Sequence, residues 1–259
     1  MTMKITWIIL LFVAIPVLSQ ERADENESEK YPTSFALQIR GLAHNRFVEP
    51  SILTQTNDTV ISSIGMRNGF SFGGVIRRRY TDELGFEIGL IHNKRYFNLS
   101  SSPTDTNVTY TSDFAFTNYE LPVKGLVFVK FSNSIFVNVG LGMTALYKPS
   151  SVYVQVDDLP VKRSASFEGY AFRKFGFNVD AQIGVEYRTR NSGIFYLGGS
   201  ASIPTSPLFA FISVYRSQNE SIRVDQAQFI RSPYFTLDLR YYFPKIRNKG
   251  DQPNKSLLD

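Results

Sequence analysis

The chain has 259 residues, of which 43% are hydrophobic, 14% aromatic and 20% charged, with no cysteine; disulfides, thiolate metal sites, Cys nucleophiles and an N-terminal lipidated Cys are therefore excluded. The formal charge of +5 comes from Lys and Arg scattered along the chain, and without a clustered basic face nucleic acid is not an expected partner. Phe (22) and Tyr (14) far outnumber Trp (1), a balance that suits sheets and interfaces, while the charge content excludes a bundle of membrane helices.

The chain opens on Met-Thr-Met-Lys, an apolar run from Ile5 to Leu18, and then Ser19-Gln20-Glu21. This reads as a signal peptide over 1–19, with Val17 and Ser19 where a signal peptidase inspects the chain and cleavage before Gln20. The run falls short of the roughly 20 residues that a helical anchor needs. Residues 20–33 are a charged, flexible leader. Beyond them no stretch approaches a transmembrane helix, so any insertion into a membrane must be by strands.

Eight strands are predicted, each from a period-two alternation of apolar and polar residues. They are Ser34 to Arg46, Gly69 to Tyr80, Leu84 to Phe97, Asp113 to Phe131, Ile135 to Tyr147, Lys174 to Arg188, Gly193 to Ile203 and Tyr234 to Phe243. The last is the clearest. Phe235, Leu237, Leu239, Tyr241 and Phe243 share one face, Thr236, Asp238, Arg240 and Tyr242 the other, and Pro233 and Pro244 fence the run. Tight turns fall at Thr81-Asp82-Glu83, Ser132-Asn133-Ser134 and Thr189 to Ser192, and long polar connections at Phe47 to Asn68, Asn98 to Ser112, Lys148 to Arg173 and Pro204 to Ser232. Within the last connection, Glu220 to Ile230 has weak helical character. A polar, basic tail occupies 244–259.

Connections that alternate long and short predict an all-β fold: an eight-stranded antiparallel up-and-down transmembrane β-barrel over 34–243, with four long outer loops and three short periplasmic turns. Both termini then lie in the periplasm. The polar faces carry Arg40, Glu87, Glu120, Lys124, Asp180, Glu186, Arg188, Asp238 and Arg240. In hydrocarbon each Arg or Lys would cost roughly 2–4 kcal/mol at the midplane, so these side chains are expected to pair inside a plugged lumen. Gly85, Gly89, Gly140, Gly142 and Gly184 on that face would make room for them. Aromatic girdles are expected from Tyr80, Phe131, Tyr187, Tyr241 and Phe243 at one rim, and from Phe97, Phe114, Tyr147, Phe175 and Tyr234 at the other. Arg77-Arg78-Arg79 at the lower end of its strand reads as a snorkelling group reaching lipid phosphates. The competing reading inverts the faces into a secreted, lipocalin-like barrel with an apolar cavity.

No phosphate-binding loop, dinucleotide fingerprint, Gly-x-Ser-x-Gly elbow or His-Glu-x-x-His occurs, and no cofactor, metal site or catalytic residue is expected. The two histidines, His44 and His92, fall near strand ends, where either with Asp113 or Glu120 would give a rim hydrolase its base; the plainer reading is a hydrogen-bonded rim histidine. Asp105 and Asp157-Asp158 in loops read as solvated acids. The triplets at Asn57, Asn98, Asn107 and Asn219 read as polar loop sequence.

Asn118-Tyr-Glu-Leu-Pro-Val-Lys124, the Gly-rich Val139-Gly-Leu-Gly142 and the terminal Leu239-Arg-Tyr-Tyr-Phe243 carry a resemblance. With these the chain resembles the outer-membrane β-barrel domain family of Gram-negative bacteria that includes the PorT-like proteins. The resemblance spans about Ser34 to Phe243. It implies residence in the outer membrane, contact with its lipid and with the barrel-insertion machinery, and a part in secretion or cell-surface assembly through protein partners at the outer loops or the tail. The reading is a non-enzymatic anchor or scaffold; a rim-active lipid or peptide hydrolase and a small-solute channel are the alternatives.

Overall fold

The computed structural model describes residues 33–56, 58, 60–104, 108–149, 151–158, 163–171, 173–189, 192–216 and 221–244. The signal peptide, most of the leader, the tail beyond Pro244, Asp105, Asn57, Asn107 and Asn219 lie outside them. Every regular element among the described residues is a strand: β1 (Ser34–His44), β2 (Ile52–Thr56), β3 (Val60–Met66), β4 (Gly69–Arg79), β5 (Leu84–Pro103), β6 (Tyr110–Lys130), β7 (Ile135–Tyr147), β8 (Val152–Asp158), β9 (Arg163–Tyr170), β10 (Phe175–Arg188), β11 (Ile194–Pro204), β12 (Phe209–Arg216), β13 (Ser221–Ile230) and β14 (Tyr234–Tyr242).

Eight of these form a ring in the order β5-β4-β1-β14-β11-β10-β7-β6, closed where β6 pairs back onto β5. Each ring strand pairs antiparallel with the next ring strand along the chain. The pairing register is staggered. From Ser34 it passes through Arg77, Glu87, Lys124, Gly142, Asp180, Ser202 and Tyr234 and meets β1 again at His44, ten residues further on. A closed ring requires such a shear, and it tilts the strands against the axis. Eight strands leave an interior that side chains can fill.

Burial alternates along every ring strand, most regularly in β10 and β14. Leu37, Ile39, Leu121, Leu141, Ile183, Leu197, Leu237 and Leu239 all project outward and exposed. An outer wall of this apolar character is the reverse of a water-soluble barrel. It overturns the lipocalin-like alternative.

The predicted long loops are replaced by strands. Connection 47–68 contains the β2–β3 hairpin, 148–173 the β8–β9 hairpin and 204–232 the β12–β13 hairpin, while β5 and β6 run on to Pro103 and from Tyr110. The stretch given weak helical character is strand β13 over Ser221–Ile230, its first residue, Glu220, lying outside the described residues. Ser, Thr, Asn and charged residues interrupt these segments, so their polarity resembles a loop, but Thr and Val suit a pleat and the apolar residues still alternate. Val60 and Ile64, for instance, share a buried face with Ser62.

These hairpins build a second layer pair. The sheet β13-β12-β9-β8 packs over the outer parts of β3, β5 and β6, with Val60, Ile64, Phe97, Leu99, Phe114, Phe116, Phe167, Phe209 and Phe211 buried between. The Phe209 ring lies 5.2 Å from Phe97, 5.8 Å from Phe114 and 5.3 Å from Phe116. The same inward row of β5 carries Glu87, Asn93 and Arg95 and then Phe97 and Leu99, with Ser101 beyond them bonded by Ser62. The handover from ring interior to sandwich core therefore falls between Arg95 and Phe97.

Two of the predicted girdle residues, Phe97 and Phe114, thus belong to this core, and Tyr234 also turns inward. Tyr80, Phe131, Tyr187 and Phe243 are exposed at the turn end. At the hairpin end, register pairing strings Phe72, His92, Tyr119, Tyr147 and Phe175 along the outer wall, with successive ring separations of 4.9, 5.5, 6.5 and 5.4 Å.

Candidate functional site

The ring interior holds the densest chemistry in the molecule. Each charged residue reaches it because the pleat turns alternate positions inward, and the staggered register then places them at matching heights. Two carboxylates act as hubs. Glu120 of β6 accepts from Arg40 Nη2 (2.8 Å), Asn93 Nδ2 (2.5 Å), Tyr234 OH (2.8 Å) and, at longer range, Asn118 Nδ2 (3.3 Å) and Arg95 Nη2 (3.4 Å). Arg40 also donates through Nε to Ser71 (2.8 Å), and Arg95 through Nη1 to the Ser232 carbonyl (2.8 Å), with its guanidinium over the Tyr234 ring.

Glu87 of β5 is the hub nearer the turns. It accepts from Arg240 Nη1 (2.6 Å), Tyr242 OH (2.6 Å) and Arg77 Nη2 (3.1 Å). Arg77 continues to Glu186, which also takes Asn138 Nδ2 (2.7 Å) and Arg188 Nη2 (2.8 Å). Arg240 Nη2 reaches Gln182 and Asp238, both at 3.0 Å. Lys124 Nζ donates to the same Gln182 oxygen (3.0 Å), and Thr144 donates to Asp180.

The nine charged residues expected in the interior all turn inward. Arg40 meets Glu120, Arg240 meets Glu87 and Asp238, and Arg188 meets Glu186. Lys124 and Asp180 find neutral partners instead. Sequence reading missed Arg77 and Arg95, both of which form interior ion pairs. Arg77 is corrected outright: it is 2% exposed in the interior and does not snorkel. The signal was present, because in Arg77-Arg78-Arg79 the pleat must alternate. Arg78 faces out beside Tyr80, while Arg79 lies over the Phe128 ring.

Room for these groups comes from a few close approaches. A Cβ on Gly184 would strike the Tyr196 ring, which itself carries the Arg240 guanidinium 4.5 Å from its centroid. A Cβ on Gly142 would meet the Val123 carbonyl, so that glycine serves strand approach more than it serves Arg or Glu.

The rim-hydrolase groups do not assemble. His92 stands on the outer wall between Phe72 and Tyr119, whereas Glu120 points inside. His44 Nε2 donates to the Glu49 carbonyl (2.7 Å), and Asp113 accepts from Arg67 and Asn98. Asp157 and Asp158 are in strand β8, not a loop. Beyond β7, Lys148 donates to the Pro207 carbonyl (2.9 Å); burial, with Arg173 nearby, pushes its ammonium below the ordinary lysine range.

Tyr234→Phe isolates one bond of the Glu120 hub. Removing a hydroxyl bonded to a charged group should cost about 1.5–3 kcal/mol, read as a lower urea midpoint with unchanged slope in detergent-folded protein.

Among solved structures, the chain is similar to the outer membrane protein OprG of Pseudomonas aeruginosa, at 7% identity and a TM-score of 0.48, covering 82% of this chain and 97% of that one. The β domain of the Bordetella autotransporter BrkA also matches, at 10% identity and a TM-score of 0.30, covering 81% and 98%. No curated protein matches. The model of the outer membrane protein beta-barrel domain matches residues 19–210. A closed antiparallel ring with an apolar outer wall and an ion-paired interior fits that match, and the chain belongs to the outer membrane protein beta-barrel domain family and resides in the outer membrane.

Proposed function

We propose that the protein is a non-catalytic, non-conducting anchor of the outer membrane: an eight-stranded up-and-down transmembrane barrel over 34–243 that displays a folded β-sandwich on the cell surface for protein partners. The signal peptide (1–19) directs export, the leader (20–33) and the tail (244–259) lie in the periplasm, and the tail offers a second place for partners. Membership among PorT-like proteins, with a part in secretion or surface assembly, belongs to the same reading.

The observation that carries this reading is the filling of the ring. Glu120, Glu87 and Glu186 are tied to arginines from several strands, and the Phe97–Phe209 core stands directly above them. A water-filled path would have to break several buried ion pairs and then cross an apolar layer, each step unfavourable. Folded hairpins also present fixed surfaces, for which partner binding carries a smaller ordering cost than flexible loops would.

Planar-bilayer recording tests the claim. The purified protein should give no large, steady conductance steps; regular steps of uniform size would replace the anchor reading with the small-solute channel. Pull-down from detergent-extracted membranes would identify the surface partner.

A further inference from the structure

The ring wall changes phase where β3 hands over to β4. Both strands pair with β5, Met66 opposite Phe97 and Phe70 opposite Lys94. Four chain steps therefore face three, which makes a β-bulge at residues 67–69. Burial records the slip: even positions Val60, Ser62 and Ile64 turn inward on β3, odd positions Ser71, Val75 and Arg77 on β4. Gly69 allows it, because a Cβ there would strike the Lys94 carbonyl.

The bulge opens a hollow of about 600 Å³ on the outer wall, lined by Arg67, Asn68, Tyr96 and Asp113. Lys94 Nζ lies 5.4 Å from the centre of the Tyr96 ring, and the Phe70 ring lies 6.4 Å from it. Arg67 and Asp113 are paired at 2.6 Å yet more than half exposed. Two residue pairs nearer the turns than Phe70 and Lys94, the aromatic band begins at Phe72 and His92. Aromatic belts mark the boundary between hydrocarbon and headgroups. The hollow thus sits where headgroups begin, with Arg67 and Asp113 in its lining and Lys94 beside it on the Tyr96 ring.

We propose that this hollow binds the phosphate of a lipid headgroup in the outer leaflet, with Lys94 and Arg67 supplying the positive charge. Asp113 holds the Arg67 guanidinium in place, Tyr96 forms the floor, and the acyl chains lie along Phe70 and Phe72. Guanidinium and ammonium groups match phosphate by charge-assisted bonds. Charge and apolar wall together select a phospholipid-like ligand, since a free anion would gain nothing from the phenylalanines. The inference rests on the reading above that the hairpin end faces the cell exterior.

The test titrates purified full-length protein in non-ionic detergent with lipid A, with dephosphorylated lipid A and with inorganic phosphate, read by native mass spectrometry. Lipid A should bind well above its dephosphorylated form, and inorganic phosphate should not compete at equal concentration. Lys94→Ala and Arg67→Ala should each weaken binding about fivefold, and the double variant about 25-fold, as expected for interfacial cations. Lys130→Ala at the opposite rim should change nothing. Equal binding of the dephosphorylated lipid, an unaffected double variant, or effective competition by inorganic phosphate overturns the proposal. Protease access to the hairpins on intact cells checks the orientation separately: shielded hairpins defeat the orientation reading, whereas accessible hairpins without phosphate selectivity defeat only this one.

Discussion

Glu120→Gln is expected to destabilise the folded barrel by about 3–5 kcal/mol, the usual cost of removing one partner from a buried ion pair. Glutamine keeps the side-chain shape and, with its oxygen in the Oε1 place, still accepts from Asn93 and Tyr234, but Arg95 then faces a neutral oxygen and Arg40 faces an NH2 group, donor against donor. Arg40 and Glu120 are 4% and 1% exposed, so water cannot make up the loss cheaply. Urea unfolding from lipid vesicles provides the measurement. Adding Arg40→Met to Glu120→Gln should restore part of the stability, because it removes a cation left without its carboxylate. A loss below about 1 kcal/mol, the level of solvent-exposed pairs, would mean that the interior is wet and the plugged reading wrong.

Leu239→Arg should cost about 2–4 kcal/mol in a bilayer, the range for a cation on the lipid face at the midplane. Leu239 sits between Ile39 on β1 and Leu197 on β11, all outward and exposed near the middle of their strands. Phe131→Arg at the turn between β6 and β7 should cost only about 0–1 kcal/mol, since the side chain reaches the interface. The contrast between the two sites is the informative quantity. Equal costs at both would mean that the apolar stripe does not meet hydrocarbon.

Strand identity was legible wherever a single strand carried its own evidence. In β10 and β14 every second residue is apolar, and the pleat alone turns those to one side. Inward placement of Arg40, Glu87, Glu120 and Arg240 followed from the same parity. The reading failed where two neighbouring stretches differ in phase. At Arg67–Gly69 a one-residue slip reverses which positions point inward, and nothing in the polar run 51–68 announces it. It also failed where composition outweighed alternation. The Ser-rich ends of β5 and β6 read as loops because apolar residues there are few, and the hairpins between ring strands because their Pro, Ser, Asn and charged residues were weighed above their alternation, although the apolar residues of both share a buried core.

Parity is a property of consecutive residues and is set by backbone geometry, so the chain by itself determined the ring strands, their wet and oily faces, and the side of the wall on which each ring charge lies. Partnership is a property of register between strands far apart in the chain. Arg40 and Glu120 are separated by 80 positions and Arg240 and Glu87 by 153; only the ten-residue stagger of the closed ring brings each pair to one height. The same closure gathers Phe97, Phe167 and Phe209 above the ionic interior, a core that no single segment could form because each supplies only a few of its side chains.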